Sequence, residues 1–115
     1  MSDVLGGGCM CGKVHFEVRE AATDLYHCHC SMCRKVHGTV FATYAVAPKT
    51  GVVITRGAEN LSRFDSSPGV SRFFCRTCGC QIMIDVAVQP DDRWFMPGIL
   101  DGAVHPGAAA TERHI

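Results

Sequence analysis

Seven of the eight cysteines fall into three tight groups. They are Cys9-Met10-Cys11, Cys28-His29-Cys30-Ser31-Met32-Cys33 and Cys75-Arg76-Thr77-Cys78. A C-x-C pair is too close for an ordinary disulfide between its own members. C-x-x-C is the usual spacing of a zinc knuckle. The pattern therefore points to thiolates on metal ions ahead of a disulfide scaffold or redox thiols. A closed structural zinc takes four ligands. Cys9, Cys11, Cys75 and Cys78 supply four from two distant pairs, so one ion would clip an early hairpin to a late one. Such a clip contributes about 10–16 kcal/mol of apparent binding energy in isolated zinc fingers. Cys28, Cys30 and Cys33 are then left as a second set of three. Three protein ligands and an open position is the pattern of a catalytic zinc.

The elements that must place these groups read as short strands. "KVHFEV" (13–18) alternates Val14, Phe16 and Val18 with polar residues. "TVFATYAV" (39–46), "VVIT" (52–55), "NLSRF" (60–64), "VSRFF" (70–74), "QIMIDV" (81–86) and "RWFMPGIL" (93–100) are further strand candidates. Gly, Pro, Asn and Asp clusters separate them. This is the pattern of an antiparallel all-β domain. One short helical turn is expected from Ser31 to Gly38, with Ser31 as its N-cap and Gly38 past its end. The knuckles then sit at strand ends and turns. In an extended segment, Cys28 and Cys30 face one side while His27 and His29 face the other. Cys33, a helical turn on, closes the triangle. A cap at Ser31 would aim backbone amides at its sulfur and favour the thiolate.

Other side chains near these groups carry competing readings. Alternation argues against His29 as a ligand. His27 is read as a surface or core histidine before a base. His37 follows the helix and has reach toward an open site, but geometry decides that. Cys80 reads first as a small buried hydrophobe. It could also be a fourth ligand of the second ion, or a redox partner. Arg34 and Lys35 directly follow Cys33. There they could offset thiolate charge and dock a substrate carboxylate. Arg56, Arg63, Arg72 and Arg76 read as solvated surface. Trp94 and Phe95 read as core before a stacking platform.

The bulk numbers bound the class. A chain of 115 residues fits one domain, 1–115, with a modest core. Eleven basic and eleven acidic residues leave no footprint for general nucleic-acid or anionic-membrane binding. No apolar run approaches the about 20 residues of a membrane span. The start, "MSDVLGGGCMCG", has no basic stretch leading into an apolar one. The expectation is a cytoplasmic protein.

"GGCMCGKVHFEV", "CHCSMCRKVHG" and "FFCRTCGCQI", with "GILDGA" downstream, together resemble the glutathione-dependent formaldehyde-activating enzyme (GFA) family, which includes centromere protein V-like proteins. The resemblance runs from Gly6 to Ile115. It implies a β-tent of small antiparallel sheets. It also implies two zincs per chain, a structural one on Cys9, Cys11, Cys75 and Cys78 and a labile, catalytic one on Cys28, Cys30 and Cys33. The implied activity is that of a carbon–sulfur lyase acting on the adduct of a glutathione-type thiol and a small aldehyde such as formaldehyde. The implied partners are small molecules, and a homodimer stays open. Two departures stand out. Cys80 is a thiol at a position that need not carry one in the family. The chain also ends at "TERHI", where relatives continue into a last strand. Two other classes remain: a non-catalytic, zinc-stabilised binding module and a thiol redox enzyme.

Overall fold

The structure is a computed structural model and describes residues 4–102 and 111–115. Ala103, the last residue of "GILDGA", lies outside them. The strands are β1 (Leu5–Gly8), β2 (His15–Val18), β3 (Asp24–Cys28), β4 (Ala42–Pro48), β5 (Val52–Arg56), β6 (Leu61–Ser67), β7 (Val70–Cys75), β8 (Gln81–Val86), β9 (Asp92–Phe95) and β10 (Thr111–His114). The single α-helix among the described residues is α1 (Ser31–His37). The domain is all-β, as its alternating segments predict.

The strands form two sheets. One has three strands in the order β1-β2-β5, and the other has seven in the order β10-β3-β4-β9-β8-β7-β6. Every pairing is antiparallel except that of β10 with β3, which is parallel. "TERHI" thus forms the edge of the large sheet. The expected strand at 93–100 is shorter. Pro97 has no amide hydrogen to give a ladder, and the chain turns into a 3-10 segment at Pro97–Ile99.

Period-two alternation sorts the large sheet into two apolar faces. Leu25, Ala45, Ala47, Met83 and Phe95 pack with Phe16, Val18 and Val52 of the small sheet into the main core. Phe16 and Phe95 are fully buried, with ring centroids 6.0 Å apart. Burying a side chain of that size contributes about 1.5–3 kcal/mol. A second cluster on the opposite face joins Cys28, Cys33, Ala42, Tyr44, Ile84 and Met96. The register sets Arg72, Ile84 and Trp94 side by side across β7, β8 and β9 on this face. The second cysteine group therefore lies over an apolar sheet surface, on the far side from the main core.

Candidate metal centres and pocket

The first group gathers as its spacing predicts. The sulfurs of Cys9, Cys11, Cys75 and Cys78 all lie within 4.8 Å of one another. Cys9 and Cys11 are 3.5 Å apart, and Cys11 and Cys75 are 3.7 Å apart. A tetrahedron of sulfurs about 2.3 Å from a zinc has edges of about 3.8 Å. These separations fit that ion, and all four cysteines are free thiols. Two turns build the site. Gly12 N donates to Cys9 O at 3.1 Å, and Gly79 N donates to Cys75 O at 2.7 Å. Gly79 closes its turn at φ 78, where a side chain would be strained. Donors aim at the sulfurs: Val14 N lies 3.3 Å from Cys9 Sγ and Asn60 Nδ2 lies 3.2 Å from Cys75 Sγ. The backbone amide of Cys78, with help from Thr77 and Cys11, outweighs burial and pulls the Cys75 thiol down to about 6. The Lys13 amide acts the same way on Cys11. Burial and the neighbouring thiols outweigh it there and push that thiol up to about 11.

The second group holds Cys28, Cys30 and Cys33, whose sulfurs also lie within 4.8 Å of one another. Among the described residues it stops at three thiols. Cys28 ends β3 and Cys33 sits in α1, both buried, while Cys30 is exposed. Cys30, one residue before the expected Ser31, is the N-cap, and its sulfur accepts from Cys33 N at 3.3 Å. A cysteine sulfur does here what a serine oxygen does in other caps. Gly38 ends the helix in the left-handed region, as expected. The two histidines of the C-x-C strand point to the opposite side. His27 bonds Thr43 Oγ1 at 2.9 Å and Glu112 Oε1 at 2.7 Å, and His29 lies 2.7 Å from His114 Nδ1.

Beside the three thiols opens a pocket of about 220 Å³. Its wall includes Tyr44, Arg72 and Trp94. Arg72 is 3% exposed. Its guanidinium donates to Ser66 Oγ at 2.8 Å and Tyr44 Oη at 3.2 Å, and lies 3.6 Å from Cys33 Sγ. The Tyr44 hydroxyl also bonds His37 Nε2 at 2.9 Å. Burial pushes the Cys33 thiol up, but Tyr44, Cys30 and Arg72 outweigh it and hold the thiol below its ordinary value. At Cys28 burial outweighs the Cys30 amide and, with the Cys33 and Cys30 thiols, drives the group up to about 11. Burial, then the charge on Arg72, keeps His37 below the usual histidine value.

The profile of the family described as "Glutathione-dependent formaldehyde-activating enzyme" matches residues 4–115. The chain belongs to that family. Proteins of Halomonas elongata and Penicillium rubens, both named "Putative glutathione-dependent formaldehyde-activating enzyme", are 30% identical over 116 residues and 28% identical over 74. The alignments cover 95% and 64% of this chain, and 66% and 39% of those proteins. An uncharacterized lyase of Schizosaccharomyces pombe is 30% identical over 73 residues, or 64% of this chain and 51% of that protein. The chain thus spans less than two thirds of each of these relatives. The crystal structure of a Rhodobacter sphaeroides protein, a structural-genomics target, matches at 28% identity with a TM-score of 0.71. That match covers 94% of this chain and 99% of that one.

In this GFA-family chain, the site differs from the sequence expectation in its basic residues. Arg34 and Lys35 are exposed on α1 and do not line the pocket, and Arg34 Nε donates to His29 O at 3.2 Å. Arg72, read from sequence as solvated, is the buried cation at the thiols. Phe95 is core as expected, but Trp94 is a pocket wall. Cys80 belongs to neither sulfur group. It packs at the main core with its thiol 3.6 Å from Gln81 O, and burial raises it. No helix among the described residues is long and apolar enough to cross a membrane.

Proposed function

We propose that this chain is a zinc enzyme of the carbon–sulfur lyase type. It makes and breaks the adduct between a glutathione-type thiol and a small aldehyde. The observation that carries this reading is the second set, which among the described residues holds three thiols. Cys28, Cys30 and Cys33 converge on one point beside a pocket, while the first set already has four thiols. Cys9, Cys11, Cys75 and Cys78 would hold a structural ion, and Cys28, Cys30 and Cys33 a second one with an open position. When bound there, zinc supplies Lewis acidity and stabilises a thiolate at neutral pH.

The chain's own groups have separate tasks. Arg72 offsets one of the three thiolate charges, and a divalent ion would offset the other two. The Tyr44 hydroxyl, held between Arg72 and His37, positions the guanidinium beside Cys33. Holding two dilute reactants together contributes most of the gain. Arg34 and Lys35, on the exposed face of the same helix, would receive the carboxylates of glutathione at the pocket mouth.

The test is exchange NMR on the zinc-loaded chain with glutathione and formaldehyde. Faster exchange between free and adduct signals than in buffer, lost in Cys33→Ser with the fold retained, supports the reading. Unchanged exchange with two ions bound, for formaldehyde and for larger aldehydes alike, overturns it.

A further inference from the structure

We infer that the pocket selects an aldehyde carrying an apolar group, an aromatic ring or a branched alkyl, over one-carbon and two-carbon aldehydes. This rests on the thiol–aldehyde reading above and names its second substrate. The wall beside the thiols is built from Met32, Val70, Ile84, Val86, Trp94 and Ile115. Among the described residues, the basic or acidic side chain lining it is that of Arg72. That guanidinium is already engaged by Ser66, Tyr44 and Cys33.

Size and chemistry decide what enters. An apolar cavity of about 150 Å³ holds benzene. This pocket is larger, at about 220 Å³, and formaldehyde would leave most of it filled with poorly bonded water. Glutathione carries two carboxylates and an ammonium. Among the described residues the wall offers them one cation, already committed, and burying them unpaired is costly. The peptide therefore stays outside, toward exposed Cys30, which caps the helix that carries exposed Arg34 and Lys35. What lies against Trp94, Ile84 and Val86 is the substituent of the aldehyde. Trp94 is held for this: it pairs with Ile84 across the sheet, its ring lies 5.6 Å from that of Tyr44, and its Nε1 donates to Gln89 Oε1 at 3.0 Å. Ile115 is fixed by backbone bonds to His27 O at 2.9 Å and from His29 N at 3.1 Å.

The bond changes are those of hemithioacetal formation. The thiol sulfur bonds to the carbonyl carbon, and the C=O π pair moves to oxygen. The proton given up by sulfur ends on that oxygen. Nothing is oxidised or reduced.

Phenylacetaldehyde and acetaldehyde place similar carbon next to the carbonyl and differ in the ring. The experiment measures adduct exchange with glutathione for both, and for formaldehyde, on the full zinc-loaded chain. The expected result is a kcat/KM for phenylacetaldehyde at least about tenfold above that for acetaldehyde. The ratio should fall in Val86→Phe, which fills the pocket. The chain has one tryptophan, so phenylacetaldehyde should also change Trp94 fluorescence saturably in the native chain. Acceleration of formaldehyde and acetaldehyde equal to that of phenylacetaldehyde, with no saturable fluorescence change, overturns this inference and leaves the proposed function standing. No acceleration with any aldehyde overturns both.

Discussion

The Arg72 guanidinium sits 3.6 Å from the Cys33 sulfur, at a position where only 3% of the arginine is exposed. A buried cation beside a thiol is costly to both groups unless the thiol is ionised. The guanidinium favours the ionised form of Cys33, the sulfur that it faces. Burial lowers the Arg72 pKa, but bonds to Tyr44 and Cys33 more than restore it.

Arg72→Met keeps the bulk and removes the charge. The second metal should bind about 10–100-fold more weakly, as is typical when a partner of a ligand is lost. Competition with a chromophoric chelator measures this, with the first ion as an internal standard. Arg72→Lys should recover part of the loss, since the charge returns without the planar fork. Unchanged affinity in Arg72→Met would show that the guanidinium serves packing alone.

Tyr44→Phe removes a hydroxyl that joins Arg72 and His37 and leaves both facing a buried gap. The expected loss is about 1–3 kcal/mol of folding stability, the cost of unsatisfied buried partners. Urea denaturation of the metal-loaded proteins reads it directly. A double variant, Tyr44→Phe with His37→Phe, should recover part of the loss, because the second substitution removes one orphaned partner.

The two sulfur sets should behave differently under attack. Mild chelation should take two zincs per chain down to one without unfolding, because the first set offers four thiols and the second, among the described residues, three; each set has one exposed cysteine, Cys11 and Cys30. Cys33→Ser should also hold one ion and stay folded. Cys75→Ser should not fold. A structural zinc contributes about 10–16 kcal/mol, as much as the whole stability of about 5–15 kcal/mol of an ordinary domain. Elemental analysis with circular dichroism checks all three. A chain that holds both ions equally tightly would mean the second set is a structural clip.

The cysteines were the most legible part of the sequence. Spacing sorted seven thiols into three groups, because C-x-C and C-x-x-C fix local geometry before any tertiary contact, and the four ligands of a structural zinc joined the first group to the third. Strand alternation likewise placed His27 and His29 away from Cys28 and Cys30. Arg72 was missed because an arginine in a strand defaults to solvent. The usable signal was its place between Val70 and Phe74 on one apolar face of "VSRFF". The parallel strand at "TERHI" was invisible, since it is short, polar and takes its order from β3. The helix cap shifted by one residue because a thiol is not among the usual capping groups.

Stability should depend on pH through Asp85. Its carboxylate takes both Arg93 Nε and Nη2 at 2.8 Å and lies 3.7 Å from Lys49 Nζ, tying β8 to β9 and to the turn after β4. Burial pushes the carboxyl up, but Arg93 and Lys49 outweigh it and hold it below its ordinary 3.8. A carboxyl lowered by folding adds stability that is fully present above the unfolded value. Here that contribution is complete above pH of about 3.8 and is lost as pH falls through the lower, folded value. Asp85→Asn should therefore cost about 1.5–3 kcal/mol at pH 7, the range for hydrogen bonds to charged groups. The gap to the native chain should narrow as pH drops below 3.8. Urea melts of both proteins between pH 7 and pH 3 test the sign, and a gap that stays constant across that range would mean the Asp85–Arg93 pair is not set by charge.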